Sequence, residues 1–395
     1  MVKLREFFNA LFFHIALICY LPVSILFRRK NKSPIFGFPS DIFGGNGKMI
    51  FDSLEGRGYR VYRVVSRKNF ARFSDSGNND ECYYRFDVRR IPLFLRTDAW
   101  ILTHSWGLLP LGQIKMRLGL KIGGYWIDFW HGLGGDNIVG CKSRERYLET
   151  CDLACVTSEH YQTDYAKAVT DKSKVIITGY ARTDSLVSGS YDLSEISKAA
   201  KIPVNRKNIL YAPTWGYEEL LFTNDKTPED AFRTIDILCK EQNCNFIIRP
   251  HIDCLSVILQ RLEKIANSHE NIYYRPMKIY PDGNDLLHLT DVLITDWSSI
   301  NFDFLLLNKP IVYLDISPPT HGSWQLEEER AGGYHCSTTK KLISVLAESL
   351  KQPNLFQTER DALIEKLYGN NAKYADGNAT ERCVRQILKL IGKNA

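Results

Sequence analysis

Residues 293–314, LITDWSSINFDFLLLNKPIVYL, open with three residues of buried-strand character and stop at Asp296, Trp297, Ser298 and Ser299. Ile300, Phe304 and Leu307 then recur at helical spacing, and a second apolar run, PIVYL, closes the stretch. Ser298 or Ser299 suits the helix N-cap. Backbone N–H groups and the positive helix end, with two hydroxyls beside them, make a phosphate site. Asp303, one turn in, would repel an anion slightly, which places the phosphate at Ser298 and Ser299 themselves. A plain serine cap is the competing reading, and this stretch alone does not separate the two.

The same alternation fills the chain past residue 33. Short β-branched or aromatic runs occur at 34–38, 59–65, 99–104, 125–130, 153–158 and 174–178, then at 208–212, 245–249, 271–275, 291–295 and 310–314, with amphipathic stretches between them. That order predicts an α/β fold with parallel sheets covered by helices. At 395 residues the chain is long for one core, and two α/β halves result, with a polar, loop-like linker at 189–207.

The unusual polar residues fall at one kind of place. His131 follows YWIDFW, Thr214 and Trp215 follow NILYAP, Arg249 and His251 follow NFII, and Asp296 to Ser299 follow DVLIT. Each lies at the carboxyl end of a predicted parallel strand, the edge where open α/β sheets bind ligands.

A net charge of +6 raises nucleic acid as a partner, but its distribution argues otherwise. Lys3, Arg5, Arg28, Arg29, Lys30 and Lys32 face only Glu6 within the first 33 residues, so the surplus belongs to one end. Between those flanks residues 7–27 are apolar except for Asn9, His14 and Ser24, and Pro22 interrupts them. The run is long enough to span a bilayer, while its polar residues and proline suit an interfacial anchor equally, and a buried core helix is the bland reading. Basic flanks favour an anionic cytoplasmic leaflet. No small-residue cleavage site marks a removed signal peptide. Ten scattered cysteines without a CxxC pair fit a reduced cytosolic protein. His104, His160 and His335 lack metal-ligand spacing, so no protein-held metal is expected.

Five ordered motifs, FWHG (129–132), GYARTD (179–184), YAPTW (211–215), IIRPH (247–251) and the long run 284–314, resemble the CDP-glycerol glycerophosphotransferase family, the teichoic-acid and capsule polyol-phosphate transferases. GGNGKMIFDSL (44–54) is a weaker echo. The resemblance implies a GT-B-like architecture of two Rossmann-like domains facing a cleft. Residues 1–32 would be a membrane-associating segment, 33–190 an acceptor domain, 191–375 a nucleotide-donor domain, and 376–395 a helix packing across both.

It further implies His131 as general base and Arg249 with His251 as the basic pair at the donor diphosphate. Ser298 and Ser299 would hold that diphosphate, Asp296 would orient the loop or reach the nucleotide or polyol hydroxyls, and Thr214 and Trp215 would line the cleft. No cofactor is implied. Where the family usually carries a proline and lysines after WHG, this chain reads LGGDNIVG (133–140), so the acceptor differs or meets other basic groups such as Lys48, Lys142 or Arg144. The implied reaction is transfer of a polyol-phosphate from a CDP-activated donor to a lipid-linked or glycan hydroxyl at the cytoplasmic face of the membrane, releasing CMP. A nucleotide-sugar transferase of the same fold and a catalytically silent scaffold remain open.

Overall fold

The computed structural model describes residues 2–26, 33–41, 43–74, 81–103, 106–110, 112, 123–130, 132, 141–189, 191–214, 227–251, 254–277, 279–280, 283–317 and 327–393. They form two compact units. Met1–His131, Ile138–Ala181 and Asn378–Ala395 make the first, Gly132–Asn137 and Arg182–Gly377 the second.

The first unit is built on seven parallel strands: β1 (Ile35–Pro39), β2 (Arg60–Val65), β3 (Cys82–Tyr84), β4 (Ala99–Leu102), β5 (Tyr125–Asp128), β6 (Leu153–Val156) and β7 (Val175–Ile177). They lie in the order β3-β2-β1-β4-β5-β6-β7. The second has six: β8 (Lys207–Tyr211), β9 (Cys244–Ile248), β10 (Ile272–Tyr274), β11 (Val292–Thr295), β12 (Ile311–Leu314) and β13 (Gly333–Cys336), ordered β10-β9-β8-β11-β12-β13. In both sheets the order reverses beside the first strand, so β1/β4 and β8/β11 are the switch points where a doubly wound sheet opens its ligand crevice. All eleven strands expected from the sequence are present. The two not expected, β3 and β13, are short outermost strands with partly exposed residues.

Central strands are buried on both faces because helices cover both, which is why they read as continuous apolar runs. In the first unit Phe36, Ile101, Ile127 and Phe129 pack with Ile50, Phe51 and Leu54 of helix Gly45–Gly56. The terminal helix Ala379–Leu390 adds Cys383, Val384 and Ile387 to that same core. In the second, Ile209, Phe246, Ile294 and Val312 meet Phe232 and Ile235 of helix Pro228–Gln242. That helix starts at a Thr227 cap with Pro228 in its first turn and ends at Asn243 in the left-handed region (φ 50°), a pattern its sequence specifies. Six of the ten cysteines are buried, five of them in these two clusters, as small hydrophobes.

The stretch at 189–207, read from sequence as a loop, contains the helix Leu193–Ala200, capped by Asp192 and closed by Lys201 (φ 52°). It belongs to the second unit, whose longer segment already begins at Arg182.

The amino-terminal helix, Val2–Leu26, carries Pro22 inside it. It buries Phe13 and Leu17. The Phe13 ring meets Phe86 at 5.7 Å and Phe94 at 6.3 Å. Phe7, Phe8, Phe12, Ile15 and Ile18 stay more than half exposed, so this is no core helix. Among the described residues no helix is long and apolar enough to cross a membrane.

Candidate active site

The second unit's switch point carries the densest polar construction. Past the end of β8 the Ala212 N–H donates to the Ile294 carbonyl (2.9 Å), and past the end of β11 Asp296 turns under the Ala212–Thr214 loop. The Thr295 hydroxyl donates to the Ala212 carbonyl (2.8 Å). Thr214 gives its N–H to both Asp296 carboxylate oxygens (2.9 and 3.0 Å) and its hydroxyl to Oδ1 (2.6 Å). Asp296 is fully buried. Burial pushes its pKa up, while the Thr214 bonds, the Trp297 N–H and the Arg330 charge oppose the rise. Of the two roles the resemblance implies for Asp296, this geometry describes the first: the carboxylate fastens the loop after β8 to the loop after β11.

Trp297 continues that fastening. Its Nε1 donates to the Ile316 carbonyl (2.7 Å), and the Arg330 guanidinium lies 4.1 Å from the ring centroid. Arg330, itself buried, donates to the Leu314 carbonyl (2.9 Å). An indole at this position therefore ties the exit of β11 to the exit of β12.

Ser299 occupies the N-cap position of helix Ile300–Leu305, yet its side chain makes no cap hydrogen bond. The N–H groups of Asn301 and Phe302 turn instead to the backbone carbonyls of Ser298 (3.4 Å) and Ser299 (3.2 Å). The helix has six residues, too few for a strong terminal dipole, so the hydroxyls rather than the helix end distinguish this site. A side chain on Gly132, the glycine of WHG, would place its Cβ 2.9 Å from Ser299 Oγ, so glycine lets that loop approach the serine; both residues belong to the second unit. Asp303 does not present a bare charge to an anion, because Arg182 of GYARTD pairs with it through Nη2 (2.9 Å) and Nε (3.1 Å). Asn284 donates to the Arg182 carbonyl and to Ser185 Oγ, so GYARTD and the run 284–314 share one network.

Arg249 follows β9 and is buried, with Nη1 donating to the Tyr280 carbonyl (2.6 Å). A Cβ on Gly283 would lie 3.5 Å from its Nη2. His251, two residues on, is half-buried, and its carbonyl accepts the Cys254 N–H (3.1 Å).

In the first unit the chain on either side of Phe129 is pinned by residues the sequence reading did not single out. Asn46 Nδ2 donates to the carbonyls of Phe129 and Trp130, both at 2.8 Å. Asp128, fully buried, accepts from the Tyr147 hydroxyl (2.8 Å) and the Trp130 N–H, while its Oδ2 has no hydrogen-bond partner. Burial raises its pKa, against the opposing Arg144 charge and those two bonds. The signals were present: Asn46 sits in a glycine-rich turn after β1, and Asp128 is an acid inside an apolar strand.

Arg144 stacks on Trp130 at 3.1 Å to the ring centroid. Lys48 pairs with Asp52 one turn along its helix, and Lys142 is exposed at the start of helix Lys142–Thr150. These three acceptor-side candidates are thus not gathered in one described cluster. His131, Trp215 and the loop 133–140 lie outside the described residues.

Two Rossmann-like units with candidate site residues after their strands define a GT-B-like protein. Residues 23–389 match the family model described as CDP-glycerol:poly(glycerophosphate) glycerophosphotransferase, and the chain belongs to that family. It is 24% identical to a teichoic acid poly(glycerol phosphate) polymerase of Bacillus spizizenii over 92% of this chain and 95% of that protein. It is 26% identical to a teichoic acid glycerol-phosphate transferase of Staphylococcus aureus over 55% of each, so it spans about half of that relative's length. The structure of the wall teichoic acid polymerase TagF superposes with a TM-score of 0.68 at 20% identity, covering 97% of this chain and 98% of that one, a likeness of fold.

Proposed function

We propose that the protein transfers glycerol-phosphate, or a related polyol-phosphate, from a CDP-activated donor to a hydroxyl of a lipid-linked or glycan acceptor in teichoic-acid-like polymer synthesis. The acceptor oxygen attacks the phosphorus carrying the polyol, the bond from that phosphorus to the CMP oxygen breaks, and CMP leaves with the electron pair. His131 takes the hydroxyl proton, since an imidazole of ordinary pKa accepts near neutral pH. Arg249 and His251 stabilise charge on the departing CMP, and Ser298 and Ser299 hold the donor diphosphate. The observation that carries the reading is the family match over residues 23–389, joined to the Asp296–Thr214 fastening at the switch point of the second sheet. Incubation with CDP-glycerol, CDP-ribitol and UDP-sugars in turn tests it. CMP release from a CDP-polyol supports it, and release of UDP alone makes the protein a sugar transferase.

The proposed location is the cytoplasmic face of the membrane, with helix Val2–Leu26 lying in the interface. The support is its exposed apolar face and the basic residues flanking it in sequence. Because Phe13 and Leu17 pack into the first unit, point changes on the outer face are a cleaner probe than deletion. Phe8→Ser/Phe12→Ser should abolish sedimentation with vesicles while leaving the thermal midpoint unchanged.

A further inference from the structure

A cavity of about 220 Å³ opens in the first unit between Arg60, Arg89, Arg90 and Arg96, with Ile35 and Leu93 among its apolar walls. Ile35 begins β1 and Arg60 begins β2, so the cavity lies at the amino ends of the strands, the edge opposite the carboxyl ends that carry the candidate site residues. Arg60 grips Glu81 with Nε and Nη2 (2.9 and 3.0 Å), and Arg89 grips Asp87 likewise (both 2.9 Å). Arg90 lies over the Tyr83 ring at 4.3 Å, and its Nε is buried without a hydrogen-bond partner. Asp98 spends an oxygen on the Ile35 N–H (2.9 Å). Four guanidinium groups line one small cavity beside the carboxylates of Glu81, Asp87 and Asp98, and this arginine-rich lining suits a phosphate ester, whose oxygens match the arginine fork.

The connection from β3 to β4 supplies Arg89, Arg90 and Arg96 and also carries the amino-terminal helix. Phe13 packs on Phe86 and Phe94 of this connection, and Arg85 pairs with Glu6 (3.3 Å). Resting on the interfacial role proposed above for that helix, we propose that the arginine cavity binds the phosphate of an anionic glycerophospholipid headgroup and gives the protein a preference for anionic lipid. The apolar helix face supplies attachment to any bilayer, and the cavity supplies selection of its headgroups.

The test is sedimentation of the full chain with phosphatidylcholine vesicles and with mixed phosphatidylcholine/phosphatidylglycerol vesicles. Arg90→Gln/Arg96→Gln should lower partition onto the mixed vesicles by about 30-fold, the worth of two basic residues at an anionic surface, and leave the weak phosphatidylcholine binding unchanged. Arg90→Lys/Arg96→Lys keeps the charge and loses the fork, so it should fall well below wild type too; wild-type partition by this variant overturns the cavity in favour of diffuse charge. Phe8→Ser/Phe12→Ser should lose both vesicle types. If the wild type sediments with neither, the interfacial reading and the headgroup site fall together, whereas an unchanged glutamine variant beside a bound wild type overturns the headgroup site alone. Titration with sn-glycerol 3-phosphate and a soluble glycerol-phosphate oligomer forms the last arm. Arginine-dependent binding of the oligomer, with vesicle partition independent of these arginines, would reassign the cavity to a soluble phosphodiester chain. Equal thermal midpoints establish that the variants are folded.

Discussion

Thr214 and Asp296, 82 residues apart in sequence, are joined by three hydrogen-bond contacts across the switch point of the second sheet. Two loops that follow neighbouring strands are thereby fixed as one surface. Removing only the hydroxyl, in Thr214→Val, deletes a hydrogen bond to a charged group and should cost about 1.5–3 kcal/mol of stability. Chemical denaturation measures it, and a loss under about 0.5 kcal/mol would show that the backbone N–H alone holds the carboxylate.

The serines offer a sharper separation, because Ser299 makes no side-chain cap bond. Ser299→Ala should leave the thermal midpoint nearly unchanged and weaken CDP-polyol binding by about 10-fold or more, given the worth of a hydrogen bond to a charged ligand. A lowered midpoint with wild-type affinity would move the diphosphate to Arg249 and His251.

Asp128 makes stability depend on pH. Burial raises its pKa in the folded chain, so the native state holds this proton more tightly than the unfolded chain does. Its contribution is therefore most favourable below the unfolded pKa of about 3.9 and is lost as pH rises through the raised folded value. Asp128→Asn keeps an acceptor for Tyr147 and cannot ionise. Its thermal midpoint should gain on the wild type as pH climbs from about 4, and a constant difference across that range would contradict the assignment.

Asn46→Ala removes the donor to two carbonyls ahead of His131. The expected outcome is a stability loss of about 1–3 kcal/mol, from a buried acceptor left unsatisfied, with a lowered kcat and an unchanged KM for the donor. An altered KM with normal kcat would instead connect Asn46 to donor binding.

Much of the scaffold was legible because parallel strands covered on both faces must be continuously apolar, as FII in β9 and VLI in β11 are. The helix Leu193–Ala200 escaped because the polar residues and Pro203 around it read as a linker, although Leu193, Ile196 and Ala200 recur at helical spacing behind an Asp192 cap. Edge strands β3 (CYY) and β13 (GYHC) lack the branched aliphatic residues that mark an edge strand as short as β7 (VII). In the site, the residue types at the strand ends were visible, but which of them touch depends on strand order, and no local pattern states that β8 lies beside β11. Asn46 and Asp128 show the same limit: each acts on the backbone around Phe129 through tertiary packing.

Polyol-phosphate transfer with His131 as the base is the central step proposed for this protein. Radiolabelled CDP-glycerol incubated with wild type and His131→Ala, with donor binding and label transfer measured on the same preparations, tests it directly. The prediction is label carried to the acceptor with stoichiometric CMP release by the wild type, and turnover reduced by about 10²- to 10⁴-fold in the variant at nearly unchanged donor affinity. Turnover of the variant within a few-fold of wild type, or no transfer from any CDP-polyol by the wild type, would contradict it.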